Sequence, residues 1–172
     1  MDWNDTFTEL YKRCLEQYKS GNTDFTSYYT EQDLTFLSSI GYKKRELFDF
    51  IEDYADSGTP TPTTALLVAS VRRDFFLVVQ EGQKSSTEIT SGDLPSSGDS
   101  LGGIAYLPRI IKKAQAKLAG ELDPDLMYAC GGDKKFLKNN GNIHPADFLR
   151  NVWASDGDEQ KILAYVKTQI SQ

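Results

Sequence analysis

The chain has 172 residues, 39% apolar and 26% charged, with a net charge of −6. That length holds one domain or two small ones and buries a core without staples. The acidic balance excludes non-specific nucleic-acid binding, which needs clustered positive charge, and no apolar stretch approaches the roughly 20 residues that cross a bilayer. Two cysteines, Cys14 and Cys130, stand at no metal-ligand spacing and fit a reducing compartment. The acidic start MDWNDTFTEL is not a secretory signal, so a cytoplasmic location is expected.

The first helix is predicted over Trp3 to Lys19. Trp3, Phe7, Leu10, Tyr11, Cys14, Leu15 and Tyr18 fall on one face, and Gly21 stops it. Thr30 caps a second helix with Glu31 and Asp33 in its first turn. A third runs over about Lys43–Asp56, burying Leu47, Phe50, Ile51 and Tyr54 and ending at Gly58. The next segment, Pro62–Glu81, is rich in β-branched and aromatic residues, which favours strand. Its 16-residue apolar stretch is too long for an ordinary strand. The Thr61-Pro62 start and the Gly82 stop decide for helix. Gly82–Ser100 is rich in Ser, Gly and Thr and reads as a linker or mobile loop.

Leu101–Gly120 is the sharpest local pattern. Ile104, Leu107, Ile111, Ala114 and Leu118 form an apolar stripe, Pro108 suits a first helical turn, and Gly120 suits a left-handed stop. Arg109, Lys112, Lys113 and Lys117 form a second, basic stripe. A short helix around Asp133–Asn140 follows, then one from Pro145, then a last one from near Asp156, with Glu159 as its capping-box partner. The expected fold class is all-α, a helical bundle-like N-terminal half plus a smaller helical C-terminal unit. The halves are 1–82, net −6, and 101–172, net +2, separated by the linker 83–100.

Three places carry candidate chemistry. Gly102 and Gly103 precede a helix start with Arg109 one turn on, a pattern that suits a small anion. Its structural alternative is a loop turning into a helix with a solvated basic face. Arg72 and Arg73 lie inside an apolar helix, where charge is costly unless paired. They either clamp a ligand or pair with carboxylates of the third helix. Glu46, Asp49 and Asp53 stand in one column of that helix, as in helical metal-dependent hydrolases that hold Mg or Mn. No second carboxylate pair stands at a clear position. The lone His144 caps a helix start or serves as a base beside Cys130 or Asp133. Cys130-Gly131-Gly132-Asp133 is a tight turn in which Cys130 is a candidate exposed thiol.

Leu101-Gly102-Gly103, Leu107-Pro108-Arg109 and Ala116-Lys117-Leu118-Ala119-Gly120 resemble the signature of domain-of-unknown-function family 5069, a group of uncharacterised bacterial proteins. Glu46–Asp53 and Val71–Phe76 resemble that family's longer members, so the resemblance extends over most of the chain. Where the family has an Asn-Cys-Pro-Leu-Asp turn, this chain has Ala129-Cys130-Gly131-Gly132-Asp133. The resemblance implies no activity, because none is established for the family. The functional expectation is a non-catalytic binding or adaptor protein without a cofactor. Its partner is a small anionic ligand near Gly102, Gly103 and Arg109, or another protein, with no nucleic acid and no membrane. The alternative is the metal-dependent hydrolase.

Overall fold

The structure is a computed structural model that describes residues 2–172. Helix takes up 63% of the chain and, among the described residues, strand only one short hairpin, so the protein is mainly α. The chain divides into two compact units that meet in sequence between Lys84 and Ser85. That boundary lies inside the segment expected to be a linker.

The first unit contains α1 (Trp3–Lys19), a 3₁₀ turn (Phe25–Ser27), α2 (Glu31–Ser39), α3 (Lys44–Ser57) and α4 (Pro62–Val78). α1 packs on α3 and α4, and α3 packs on α4. Phe7, Leu10 and Cys14 of α1, Leu47, Phe50 and Ile51 of α3, and Ala65, Val68 and Ala69 of α4 are all buried. The Tyr11 hydroxyl donates to the Phe50 carbonyl at 3.0 Å, so this aromatic enters the core with its polar end satisfied. α4 is helical despite its β-prone composition. The Thr61 side chain accepts from Thr64 N–H at 3.2 Å, and Pro62 opens the first turn where no N–H is needed. Tertiary burial of one face then outweighs the local preference for strand.

The second unit contains the hairpin strands β1 (Ser100–Leu101) and β2 (Ile104–Ala105), then α5 (Leu107–Ala119), α6 (Gly131–Asn139), α7 (Pro145–Ser155) and α8 (Glu159–Ile170). α5 packs on α7, and α7 on α8. Leu107, Ile110, Ile111 and Ala114 of α5 are buried, as are Phe148 and Leu149 of α7 and Ile162 and Val166 of α8. Polar composition hides a tie in the preceding segment. Ile89 N–H donates to Glu121 O at 2.7 Å, Asp123 N–H donates to Ile89 O at 3.1 Å, and Leu94 is buried. The last helix starts later than expected. Asp158, not Asp156, is its cap and accepts from Gln160 N–H at 2.9 Å. Asp156 instead closes α7 in the left-handed conformation, φ 52°.

Candidate functional site

Several residues singled out from sequence make local structural contacts. Gly102 and Gly103 form the two-residue tip of the β1–β2 hairpin, with φ of 57° and 84°. Both central residues of a type I′ turn need such angles, which glycine adopts without strain. A Cβ on Gly102 would stand 2.4 Å from Leu163 Cδ2, so a side chain there would make Leu163 move. The Arg109 guanidinium donates to the Pro95 carbonyl at 2.7 Å and ties the preceding loop to α5. Losing that bond in Arg109→Ala is expected to cost about 1 kcal/mol. Thermal melts with and without inorganic phosphate check this. The loss should be the same in both, and a phosphate-dependent stabilisation of wild type alone would return Arg109 to an anion site.

Arg72 is buried, donates to Gln80 Oε1 at 2.8 Å and lies 5.2 Å from the Phe76 ring centre, one helical turn away. Arg73 stacks on Trp3 at 5.1 Å and pairs with the adjacent Asp74 at 3.1 Å. In the carboxylate column, Glu46 accepts from the Lys43 N–H at 2.8 Å, which caps α3. Asp49 pairs with Arg45 Nε at 2.7 Å. Among the described residues, no three His, Cys, Asp or Glu side chains gather as a metal would require. His144 caps α7, with its Nδ1 accepting from Ala146 N–H at 3.1 Å.

The basic stripe of α5 is only partly solvated. Lys113 is 3% exposed and Lys117 1%, so the expected solvated face holds for neither. Lys113 carries its ammonium to the start of α6. There Nζ donates to Asp133 Oδ2 at 2.6 Å and to Cys130 Sγ at 3.2 Å. Asp133 is fully buried and also accepts from the Tyr106 hydroxyl at 2.9 Å and from Ala129 N–H at 2.9 Å. Three donors thus converge on one carboxylate. Asp133 belongs in the first turn of α6, where the helix dipole favours negative charge.

The backbone is bent to make this arrangement. Ala129 has φ 69° and Tyr106 φ 72°, conformations that cost L-residues about 1–2 kcal/mol each. A Cβ on Gly132 would stand 2.9 Å from the Tyr106 oxygen, so glycine there lets the phenol reach Asp133. Burial and the neighbouring Asp133 charge raise the Tyr106 pKa, which keeps the phenol a donor. Cys130 is the N-cap of α6 and is partly exposed. Beside it, Gly131 has open space where a side chain would be.

A buried carboxylate that holds an ammonium against a half-buried thiol has the logic of a nucleophile, its charged partner and an orienting group. Thiols at helix N-termini beside a cation are the ones that react, because the thiolate is the nucleophile. The second unit is therefore a small helical domain that carries a partnered thiol. Residues 92–172 match the family model of a domain of unknown function, DUF5069. The match is confined to those residues and does not extend over most of the chain. Glu46–Asp53 and Val71–Phe76 lie outside it. No curated protein and no solved structure matches the chain. Among the described residues, no helix is long and apolar enough to cross a membrane.

Proposed function

We propose that the C-terminal unit binds a small electrophilic molecule and captures it through the sulfur of Cys130. The observation that carries this reading is the 3.2 Å contact of Cys130 Sγ with a lysine ammonium that Asp133 fixes in place. The ammonium lies directly against the sulfur, and the open space at Gly131 gives a ligand access. Gly131 and Gly132 are exposed at the start of α6, where a helix N-terminus suits an anionic group on the same molecule. This narrows a general binding role to one turn and one atom, and sets an anion-binding reading at Gly131 and Gly132 beside the one at Gly102 and Gly103.

The second cysteine supplies an internal control. Cys14 is wholly buried, and burial pushes its pKa up to about 11. Iodoacetamide near neutral pH should label Cys130 on the folded protein while Cys14 stays protected until denaturant is added. Lys113→Arg, which keeps a cation but changes its reach, should slow the labelling of Cys130. Equal labelling of both thiols, or a Cys130 that resists until denaturation, would remove the reading.

A further inference from the structure

We infer that Cys130 is an oxidative modification site, and that its oxidation by a hydroperoxide ends in a covalent sulfur–nitrogen bond to Lys113. The inference rests on the reading of Cys130 as an accessible nucleophile and adds the fate of the sulfur once it has attacked. An oxidised cysteine needs a second nucleophile to resolve it. The chain's one other thiol, Cys14, lies buried in the first unit, and the second unit holds no second cysteine. The nucleophile that the structure places at the Cys130 sulfur is the Lys113 nitrogen, 3.2 Å away.

The chemistry balances with hydrogen peroxide as the only co-reactant. The Cys130 thiolate attacks one peroxide oxygen, an S–O bond forms, and the O–O bond breaks. Sulfur is oxidised by two electrons and the peroxide is reduced. The departing hydroxide takes a proton from the Lys113 ammonium and leaves as water. That transfer leaves a neutral amine against an electrophilic sulfenic sulfur. The amine attacks, the N–S bond forms and the S–O bond breaks. The second hydroxide takes the remaining surplus proton from nitrogen and leaves as a second water. The starting thiolate and ammonium have become one neutral sulfenamide.

Asp133 makes the product tolerable. It loses its cationic partner, yet the Tyr106 hydroxyl and the Ala129 N–H still donate to it. The bond would staple α5 to the start of α6, two segments already in register through Asp133. Thiols reverse it, because attack on the sulfur releases the amine.

The test treats the full chain with hydrogen peroxide and reads intact mass and a tryptic map. The expected product has lost two hydrogens and gained no oxygen. Cleavage after Lys113 disappears, the peptides holding Lys113 and Cys130 appear linked, and dithiothreitol restores both. Lys113→Arg should accumulate added oxygens in place of the linked form. Should that variant fail to fold, the wild-type map still decides. A product carrying only added oxygens, with normal cleavage at Lys113, overturns the inference. So does a linked product that retains one oxygen, which would place that atom between nitrogen and sulfur. The two readings fail separately. If iodoacetamide labels Cys130 but peroxide only adds oxygen, the capture site stands and the sulfur–nitrogen bond falls. If neither reagent reaches Cys130, both fall.

Discussion

Asp133→Asn is expected to destabilise the C-terminal unit by about 3–5 kcal/mol, because it leaves a lysine ammonium buried without its carboxylate. The cost is not one of lost hydrogen bonds alone. An asparagine side chain has the right shape, and its oxygen can still accept from Lys113 and Ala129. Its amide would then face the Tyr106 oxygen, which at present donates to Asp133 Oδ1 at 2.9 Å. The phenol can turn and accept, so the geometry survives in part. The charge does not. Lys113 is 3% exposed, too deep for its ammonium to relax into solvent while α5 stays in place. A chain of two units need not unfold in one step, so a single melting point is the wrong observable. Amide hydrogen exchange resolves it. Protection should fall in α5, α6 and α7 and stay as it was in α1 and α3. Unchanged exchange in α5 would show that the carboxylate does not hold the ammonium.

This hub shows where sequence reading stops. Cys130 and Asp133 are legible as a tight turn before a helix, and Cys130 as an exposed thiol. Their partner lies 17 and 20 positions earlier, and no local pattern connects it to them. One signal was present. Lys113 and Lys117 stand three and seven places after Ile110, so they share a helix face with that buried residue and with Ala114. Two lysines on an apolar face are a request for buried partners, whereas a solvated stripe would place them opposite Ile110. Arg109 has a structural contact that is equally hidden from sequence. A cation one turn after a Gly pair resembles an anion site, and composition does not show that this guanidinium also donates to the Pro95 carbonyl.

Elements with strong punctuation were legible nearly to the residue. α1 runs over Trp3–Lys19 as periodicity predicts, and Thr30, Thr61 and Pro145 mark their helix starts. The last helix shows why punctuation can still mislead. Ser155-Asp156-Gly157-Asp158 offers two aspartates, each competent to cap. The choice falls on Asp158 because α7 needs Asp156 for its own left-handed end. The segment 83–100 was unreadable for a different reason. Its composition is that of a flexible linker, while its order comes from bonds made by Ile89 and Ser85 to Glu121 and its neighbours, which composition does not encode.

Gly141→Ala is expected to cost the C-terminal unit about 3 kcal/mol, through a backbone clash added to an unfavourable backbone angle. Gly141 closes the α6–α7 connection with φ 96°, in a region that L-residues rarely adopt. A Cβ there would stand 2.6 Å from both the carbonyl carbon and the carbonyl oxygen of Gln169 on α8. The identity of those atoms sets the size of the effect. At Gly102 the obstructing atoms belong to the Leu163 side chain, which can change rotamer and give way. At Gly141 the obstacle is the backbone of a helix, which moves only if α8 shifts as a body. α8 is held through Ile162 and Val166, both buried, so that shift would open the core. The comparison of the two alanine variants isolates the cause. Both carry a positive-φ penalty, so Gly141→Ala should be the more destabilising by the cost of moving a helix. Denaturant melts followed through α8 exchange protection measure it. If Gly102→Ala proves as damaging as Gly141→Ala, the positive angle dominates and the approach of α8 to this turn contributes nothing.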